Sequence, residues 1–299
     1  MASVYECKPL GGALSDYFKL KPISKGSFGS VYQGRTTPKA LREIGEELPE
    51  EVAIKVVALS MAGTKKIQPM MLGELHALKH SKLAHGIRYY GCFLDAKYLY
   101  IIMNLVRGQT LYELIRSRTL TQERVTRIAR ELSLAIEEFH DAGFIHRDLK
   151  LENIIVVNEG DKGDKGDKVD KSDKITLIDY GFMCAEDPIF KQSCESNVGT
   201  VGYNDPKVIP GDRDSMMLAD WWAFGQIVMF MYLGSPLHTP RGMYNRPKDV
   251  DLKSVDRSVV DILSRLADPT IEQSERPDPL DIIAAFDPPQ EPEQATFLV

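Results

Sequence analysis

Two short polar segments, joined by an expected hairpin, constrain this chain more than any other feature. The first segment contains Asp148, followed five residues later by Asn153. The apolar runs 154–157 and 174–178 read as paired strands, and Asp179 directly follows the second run. We therefore expect the hairpin to return Asp179 to the neighbourhood of the first segment. Such an acidic set can hold Mg²⁺ on a nucleotide triphosphate and orient an attacking hydroxyl.

Composition excludes several other classes of protein. The chain has 299 residues, 43% of them hydrophobic, which is enough for one large domain or two lobes, and its formal net charge of −6 predicts no nucleic-acid partner. No signal-peptide pattern opens the chain and no apolar run reaches the roughly 18 residues of a membrane span, so we expect no membrane partner. The longest run, 221–233, predicts a buried core helix. Because Cys7, Cys92, Cys184 and Cys194 show no CxxC spacing, we expect reduced thiols in the cytoplasm or nucleus, without a zinc site or disulfide framework.

The first part of the chain alternates strands with turns. Residues 18–23 alternate like a strand and lead into a turn that contains Gly26 and Gly29. Backbone N–H groups in such a turn can approach phosphates, although a plain hairpin turn is the more frequent use. The charged insert 35–50 fits either a short amphipathic helix or a solvated loop. The next apolar strand contains one charged residue, Lys55, which either reaches solvent or meets an anion.

The remaining patterns predict a mainly helical second half. We expect helices over 68–79, 111–117 and 121–142, and a strand over 98–103. The tract 161–174 contains five Asp and five Lys and cannot bury a core. It predicts a disordered hairpin tip, with a segment that docks a partner as the alternative.

Taken in order, these segments resemble the eukaryotic-type protein kinase family, in its serine/threonine branch. Residues 146–153, His-Arg-Asp-Leu-Lys-Leu-Glu-Asn, resemble the catalytic loop. Residues 52–55 match Val-Ala-Ile-Lys, residues 179–181 resemble Asp-Phe-Gly, and residues 24–31 resemble the Gly-rich loop. The resemblance covers roughly residues 18–286, with several motifs in the right order at compatible spacings.

The resemblance implies an α+β fold with the two lobes of a protein kinase. A small β-rich N-lobe is expected at about 18–103, and a larger, mainly helical C-lobe at about 107–286. Residues 1–17 are then a lead-in, and the Pro- and Glu-rich residues 287–299 are a tail.

The resemblance also implies a role for each site residue, with ATP and Mg²⁺ as cofactors. Asp148 is implied to orient the substrate hydroxyl and accept its proton, Lys150 to steady the γ-phosphate, and Lys55 to position the α/β-phosphates. Asn153 and Asp179 are implied to hold Mg²⁺. The residues implied to contact ATP, or to orient a residue that does, are Ile23, Ser24, Lys25, Gly26, Ser27, Phe28, Gly29, Val31, Ala53, Lys55, Glu74, Met103, Asn104, Leu105 and Ile155.

The activity that follows is transfer of the γ-phosphoryl group of ATP to Ser or Thr hydroxyls of protein substrates. One alternative is a pseudokinase, a nucleotide-binding scaffold without transfer. Ser24, Tyr180 and Lys207 favour it, since the family has Gly, Phe and Glu there. A second alternative is a small-molecule kinase of the same fold. The Gly-Thr and Tyr within 199–203, which support peptide substrates in the family, argue against it.

One charge departs from the family pattern. Where the family pairs a Glu with an Arg, this chain has Lys207 and Arg276, which repel each other. We expect Arg276 to pair with another acid, with Asp205, Glu272 and Asp278 as candidates.

Regulation is expected at the segment that precedes this point. The resemblance implies an activation segment over residues 179–207. Arg147 directly precedes Asp148, and in the family a phosphate on that segment often joins this cation. Ser196 lies at the matching position and implies an upstream kinase or regulatory protein as partner. The alternative is a constitutively ordered segment in which Glu195 supplies the negative charge.

Overall fold

The chain folds into a β-sheet lobe and a helical lobe, which confirms the predicted α+β, two-lobed architecture. Both lobes share one hydrophobic cluster, which runs from Val57 and Leu75 in the first to Leu132 and Phe224 in the second. The computed structural model describes residues 6–26, 29–64, 67–118, 120–158, 173–185, 194–234 and 255–287.

The smaller lobe is built on a six-stranded sheet. Its strands are β1 (Lys8–Pro9), β2 (Phe18–Lys25), β3 (Ser30–Thr36), β4 (Glu51–Ala58), β5 (Tyr89–Leu94) and β6 (Tyr98–Asn104). They lie in the order β1-β5-β6-β4-β3-β2, and all pairs except the parallel β1–β5 pair are antiparallel. The central strands β4 and β6 carry near-continuous apolar runs because both of their faces are covered. Since β1 lies within residues 1–17, part of the predicted lead-in belongs to the sheet.

Four helices accompany this sheet, and one of them decides between the two interpretations of the charged insert. They are α1 (Leu14–Tyr17), α2 (Pro38–Glu43), α3 (Leu59–Ala62) and α4 (Ile67–His80). Helix α2 begins after Thr37, whose hydroxyl accepts the N–H of Ala40. The insert therefore contains a short helix. Its helical spacing of Leu41, Ile44 and Leu48 predicted that Leu41 faces inward, but the helix buries Ala40 and leaves Leu41 exposed.

The larger lobe is mainly helical. Its helices are α5 (Leu111–Ser117), α6 (Gln122–Asp141), α7 (Arg213–Leu233), α8 (Arg257–Leu266) and α9 (Pro279–Ala285). Helix α6 starts at the predicted N-cap, where the Thr121 hydroxyl accepts the N–H of Arg124 at 3.2 Å. Helix α7 contains the predicted core run and starts earlier, at the N-cap Asp212. Among the described helices, α7 is long and apolar enough to cross a membrane, yet 67% of its apolar window is buried inside the protein.

Short strands carry the two polar segments toward each other. They are β7 (Gln109–Thr110), β8 (Phe144–Ile145), β9 (Ile154–Asn158), β10 (Asp173–Leu177) and β11 (Cys184–Ala185). Strands β9 and β10 pair antiparallel, with Ile154 opposite Leu177, which confirms the expected hairpin. The polar segment before β9 and the one after β10 therefore lie at the same end of the hairpin.

The predicted charged tract, 161–174, overlaps β10, which begins at Asp173. Residues 159–172 lie outside the described residues. Asp173 is buried in β10, where it accepts two bonds from the Arg124 guanidinium, at 2.9 and 3.0 Å, and one from Arg127 at 3.4 Å. The prediction was wrong for this end of the tract because two arginines of α6 compensate the buried carboxylate.

The prediction of four reduced thiols was also wrong. Cys7 and Cys92 form a disulfide between the N-terminal segment and β5, with Cα atoms 4.8 Å apart. Cys184 and Cys194 form a second disulfide, with Cα atoms 5.3 Å apart. Both separations suit disulfides. Spacing could not reveal the first pair, because 85 residues separate its members in sequence.

Candidate active site

Lys55 occupies the centre of the cleft between the lobes. Its ammonium lies 2.5 Å from Glu74 Oε1 on α4 and 3.4 Å from Asp179 Oδ1, beyond β10. Burial alone would lower the pKa of Lys55, but the two carboxylates raise it, so the side chain stays charged. Two carboxylates of the protein itself, those of Glu74 and Asp179, therefore supply the negative charge expected beside this buried lysine. Glu74 orients Lys55, as predicted, and Asp179 joins the small lobe to the hairpin.

Asp220 on α7 holds the backbone at the start of the catalytic loop, residues 146–153, by hydrogen bonds. Its carboxylate accepts the backbone N–H groups of His146 and Arg147, at 2.8 and 2.9 Å, and lies 3.0 Å from Nε2 of His140. Arg147 adopts a positive φ of 61°, a costly conformation for a residue with a long side chain, and these bonds help to hold it. Sequence reasoning did not assign Asp220 to the site. A carboxylate at the start of an apolar, buried helix was the signal that could have identified it.

Asp148 is surrounded by donors that fix its carboxylate. Oδ1 accepts the Thr200 hydroxyl at 2.6 Å, and Oδ2 accepts the Lys150 ammonium at 2.6 Å. Asn153 donates its amide to the Asp148 carbonyl at 2.9 Å and to Oδ2 at 3.3 Å. Lys150 also lies 3.1 Å from the Thr200 hydroxyl, which closes the cluster. A carboxylate oriented in this way can accept a proton from a hydroxyl placed beside it.

Thr200 is a member of this cluster that its sequence motif alone did not place there. The turn before it depends on Gly199, which has a φ of 117°. A Cβ at Gly199 would collide with the side chain of Asn204 and would lie only 2.9 Å from the Arg147 carbonyl oxygen. Glycine is therefore required where the activation segment passes close to the catalytic loop.

The Asp179-Tyr180 step connects the site to the small lobe. Asp179 has a φ of 63°, and Lys55 lowers the pKa of its carboxyl group. Tyr180 is fully buried, and its hydroxyl accepts the N–H of Ile87 at 2.8 Å. A Cβ at Gly86 would lie 3.0 Å from this hydroxyl, so Gly86 leaves the room that tyrosine needs. The departure from the family's Phe is thus accommodated by the fold.

The donor chemistry of the cleft fits a magnesium ion. Asp179 would contribute a carboxylate, and Asn153, whose Nδ2 donates to Asp148, would contribute its amide oxygen. The described part of the chain has no group of three or more His, Cys, Asp and Glu that could hold a metal by itself. Mg²⁺ commonly uses one or two protein ligands and completes its shell with substrate phosphates and water. The residues present therefore fit Mg²⁺ delivered with ATP.

The sheet presents an apolar face for the nucleotide. Ala53 lies opposite Met103, and Val31 lies opposite Lys55, which is on the same face as Ala53 two residues away. Ile155 on β9 is half-buried in the larger lobe. Val31, Ala53 and Met103 therefore share a face of the sheet with Lys55, whereas Ile155 belongs to the larger lobe.

The Gly-rich turn follows β2, and the hinge, residues 103–106, begins at the end of β6 and connects the lobes. Ile23, Ser24 and Lys25 are exposed at the end of β2, and the N–H of Gly26 donates to the Gly29 carbonyl at 2.8 Å. Ser27 and Phe28, at the tip of the turn, lie outside the described residues.

In the hinge, the N–H of Asn104 donates to the Arg88 carbonyl at 2.9 Å, and its side-chain oxygen accepts the Arg88 N–H at 2.8 Å. These two groups of Asn104 are therefore engaged by the protein. Leu105 follows directly and is half-buried.

Arg276 has found the acid that its charge required. It donates to Asp205 through two nitrogens, at 2.6 and 2.9 Å, and both side chains are fully buried. Lys207 forms an ion pair with Glu272 instead. The predicted mismatch is thus resolved by Asp205, the first of the three candidates.

A charged lysine between two carboxylates, next to an Asp-Lys-Asn-Thr cluster in an interlobe cleft, defines a nucleotide-dependent phosphotransferase. Residues 17–278 match the family model for the protein kinase domain. The chain therefore belongs to the protein kinase domain family.

Several protein kinases are similar to this chain. It is 28% identical to mouse Aurora kinase B, over 84% of this chain and 68% of that protein. It is 26% identical to mouse Aurora kinase C, over 85% of each, and 28% identical to Drosophila melanogaster atypical protein kinase C, over 74% of this chain and 33% of that protein. These findings confirm the predicted family, its serine/threonine branch and the enzyme class, an ATP-dependent protein kinase.

Proposed function

We propose that this kinase transfers the γ-phosphoryl group of Mg²⁺-bound ATP to Ser or Thr hydroxyls of protein substrates. The observation that carries the proposal is the Asp148 carboxylate, held at 2.6 Å by both Thr200 and Lys150. Phosphoryl transfer asks the protein mainly for positioning and charge stabilisation, and a carboxylate fixed by two donors provides positioning.

Each charged residue of the site has a distinct role in the proposed reaction. Asp148 orients the substrate hydroxyl and accepts its proton, and Lys150 steadies the γ-phosphate. Lys55, oriented by Glu74, holds the α/β-phosphates. Asn153 and Asp179 hold Mg²⁺, which supplies charge neutralisation on the phosphates when it is bound. The apolar face of β3, β4 and β6 receives the adenine.

The decisive variant is Asp148→Asn. We expect it to bind ATP nearly as well as the wild type and to turn over more slowly by orders of magnitude, since the amide cannot accept the proton. Turnover is measured with labelled ATP and generic protein substrates, with and without a chelator of Mg²⁺. Asp141→Asn, an exposed carboxylate at the end of α6, is the matched control. Equal turnover in the wild type and Asp148→Asn would refute the role of Asp148.

The same assay separates the pseudokinase alternative. A pseudokinase would bind ATP in the wild type and transfer nothing, with or without Mg²⁺. The cluster around Asp148 and the Lys55–Glu74 pair favours the active enzyme, because a scaffold needs neither.

The proposed substrates are proteins, with a preference for basic sequences near the acceptor. Glu152 is exposed beside the catalytic loop and offers a carboxylate to such sequences. The proposed location is the cytoplasm, with the nucleus as the alternative, and neither nucleic acid nor membrane is a proposed partner.

We further propose that an upstream kinase, or the protein itself, phosphorylates Ser196. The side chain of Ser196 is exposed, and its carbonyl accepts a hydrogen bond from Arg147 at 3.2 Å. A phosphate at Ser196 would lie next to this guanidinium and add charge-assisted bonds to it. Intact-mass analysis and peptide mapping after incubation with ATP would detect the modification. Ser196→Ala should lose activity and Ser196→Asp should regain part of it; full activity of Ser196→Ala would favour Glu195 as the anion.

A further inference from the structure

The two disulfides lie in very different parts of the molecule. Cys7 and Cys92 join β1's segment to the outer part of the small-lobe sheet. Cys184 and Cys194 belong to the segment that leads from Asp179 toward Thr200, and together with Ile145 and Met216 they form a small buried cluster. All four cysteines are buried. The proposed reaction uses neither pair.

The Cys184 side of the second bridge is fixed to the catalytic loop by a strand pair. Cys184 lies opposite Ile145 in the antiparallel β8–β11 pair. Ile145 directly precedes His146, Arg147 and Asp148. A displacement of Cys184 would therefore act on the backbone that carries Asp148.

The Cys194 side is fixed by Arg147 and by the approach to α7. The Cys194 carbonyl accepts the Arg147 guanidinium at 3.1 Å and the Gly211 N–H at 3.0 Å. The same guanidinium donates to the Phe182 carbonyl at 2.7 Å, two residues before Cys184. Arg147 and the disulfide thus tie the same two stretches of chain together, one by hydrogen bonds and one covalently.

The bridge lies close in sequence to a residue that touches the reacting carboxylate. Thr200 follows Cys194 by six residues, and its hydroxyl donates to Asp148 at 2.6 Å. A covalent link between Cys184 and Cys194 removes conformational freedom from states in which these stretches separate. The linked chain therefore populates the arrangement with Thr200 on Asp148 more than the unlinked chain does.

We propose that Cys184 and Cys194 are a thiol–disulfide modification site, and that the bridged form is the more active kinase. The reductant is a dithiol. Its first thiolate attacks one cysteine sulfur of the bridge, forms a mixed disulfide with it and releases the other cysteine as a thiolate. Its second thiol then attacks the dithiol's own sulfur in the mixed disulfide and releases the remaining cysteine. In total the dithiol becomes a disulfide, and two electrons and two protons pass to Cys184 and Cys194. Oxidation by a small-molecule disulfide is the reverse exchange.

This inference goes beyond the proposed phosphotransfer and rests on it only for its activity readout. In a reducing compartment, disulfides are usually transient and used for redox sensing. The bridged fraction would then follow the local ratio of thiol to disulfide. Cys184 and Cys194 act here as positioning residues, through Thr200 and Arg147, and not as groups that touch the substrate.

The test uses two matched double variants of the full chain. Cys7→Ser with Cys92→Ser keeps only the bridge near Asp148, and Cys184→Ser with Cys194→Ser keeps only the distant one. Each is equilibrated in buffers that range from reduced to oxidised dithiothreitol, a dithiol and its cyclic disulfide. The bridged fraction is measured by thiol alkylation with peptide mapping, and turnover is measured in the same samples.

We expect the turnover of the first variant to be about fivefold or more lower in the reduced state than in the oxidised state. A change of about fivefold is the lower end of typical couplings between sites. Turnover and the bridged fraction should share one midpoint. The turnover of the second variant should equal that of the reduced first variant and should not change with the redox buffer. Equal turnover of the first variant at both ends of the titration would overturn the proposal, as would an equal redox response of the second.

Hydrogen exchange over residues 194–200 keeps the test decisive if the activity readout fails. If the second double variant does not fold, the first variant and the wild type still report both redox states without it. If no form transfers phosphate, the proposed function is wrong, and exchange alone decides this inference. Greater protection in the bridged state supports it, and equal protection in both states refutes it.

Discussion

Each lobe contains a buried ion pair, and the two pairs differ in how completely the protein encloses them. In the small lobe, Lys55 meets Glu74 at 2.5 Å and also Asp179 at 3.4 Å. In the large lobe, Arg276 meets Asp205 through two bonds, with 0% of either side chain exposed. Arg276 and Asp205 are 71 residues apart in sequence, whereas Lys55 is 19 residues from Glu74 and 124 from Asp179. One of them borders the cleft, and the other is sealed.

Most polar atoms of the sealed pair have partners, although Nε of Arg276 is buried without a hydrogen bond among the described residues. Besides Arg276, Asp205 accepts the Gln273 side-chain amide at 2.5 Å and the Lys207 backbone N–H at 2.9 Å. The guanidinium also lies 4.9 Å from the centre of the Trp222 ring. A buried ion pair offsets its desolvation only when its remaining groups are bonded in this way. This pair anchors the activation segment to the helices of the large lobe.

The pair at the cleft is arranged for a further partner. The side chain of Asp179, the second carboxylate beside Lys55, is 47% exposed. The ammonium of Lys55 is shared between the carboxylates of Glu74 and Asp179. Phosphate oxygens can therefore contact the ammonium while it keeps a carboxylate partner. The comparison teaches that buried charge alone does not mark a functional site. The two pairs differ instead in exposure, because Asp179 beside Lys55 is 47% exposed whereas neither side chain of the Arg276–Asp205 pair is exposed.

The largest expected effect comes from removing the cleft cation. Lys55→Met should lower kcat/KM by about 10²–10³, the usual cost of losing one electrostatic donor to a transition state. The melting temperature should fall as well, because Lys55→Met leaves the buried Glu74 carboxylate without its cation. Adding Glu74→Leu should restore most of the melting temperature without restoring turnover. Steady-state kinetics and thermal unfolding would measure the two quantities.

Lys97→Met, on the exposed turn between β5 and β6, is the matched control and should leave both quantities unchanged. The comparison would break if Lys55→Met unfolded the protein while folded molecules kept normal turnover. The pair at the cleft would then be an anchor like the other one.

A smaller effect, on stability, is expected from opening the sealed pair. Asp205→Ala leaves the Arg276 charge buried and unpaired, which should cost about 3–5 kcal/mol of unfolding free energy. Denaturant unfolding would measure the loss. Asp261→Ala, on the exposed face of α8, serves as control.

Adding Lys207→Glu to Asp205→Ala should recover part of that loss, because it restores a carboxylate two residues away. A normal melting temperature in Asp205→Ala would show that Arg276 is not held by this pair, and the contrast between the lobes would disappear.

The two pairs also differ in how far the sequence revealed them. The family resemblance predicted Glu74 as the residue that orients Lys55, whereas the anion expected for a lysine within an apolar strand was an ATP phosphate. The charge of Arg276 required an acid, but sequence left three candidates, since only packing decides which carboxylate is buried beside it.

Other features depended on tertiary contacts that no local pattern encodes. The Tyr180 hydroxyl needs the Ile87 N–H and the space above Gly86, on a loop about ninety residues earlier. Likewise, Cys7 and Cys92 are 85 residues apart, and the sheet brings them together. Sequence predicted the chemistry of the site well because short motifs carry it, whereas the supports of the site come from distant elements.

The smallest expected effect sharpens the comparison at Lys207, the position where the family has Glu. If Arg276 lacked a partner, Lys207→Glu would stabilise the fold strongly. Here Arg276 is already bonded to Asp205, and Lys207 pairs at the surface with Glu272, which is 67% exposed. Exposed ion pairs contribute about 0–1 kcal/mol, so Lys207→Glu should destabilise the protein by no more than that. The charge-reversed pair, Lys207→Glu with Glu272→Lys, should return to the wild-type melting temperature. A clear rise in melting temperature for Lys207→Glu alone would mean that the Asp205–Arg276 pair is not satisfied, and that the large lobe too contains a charge in need of a partner.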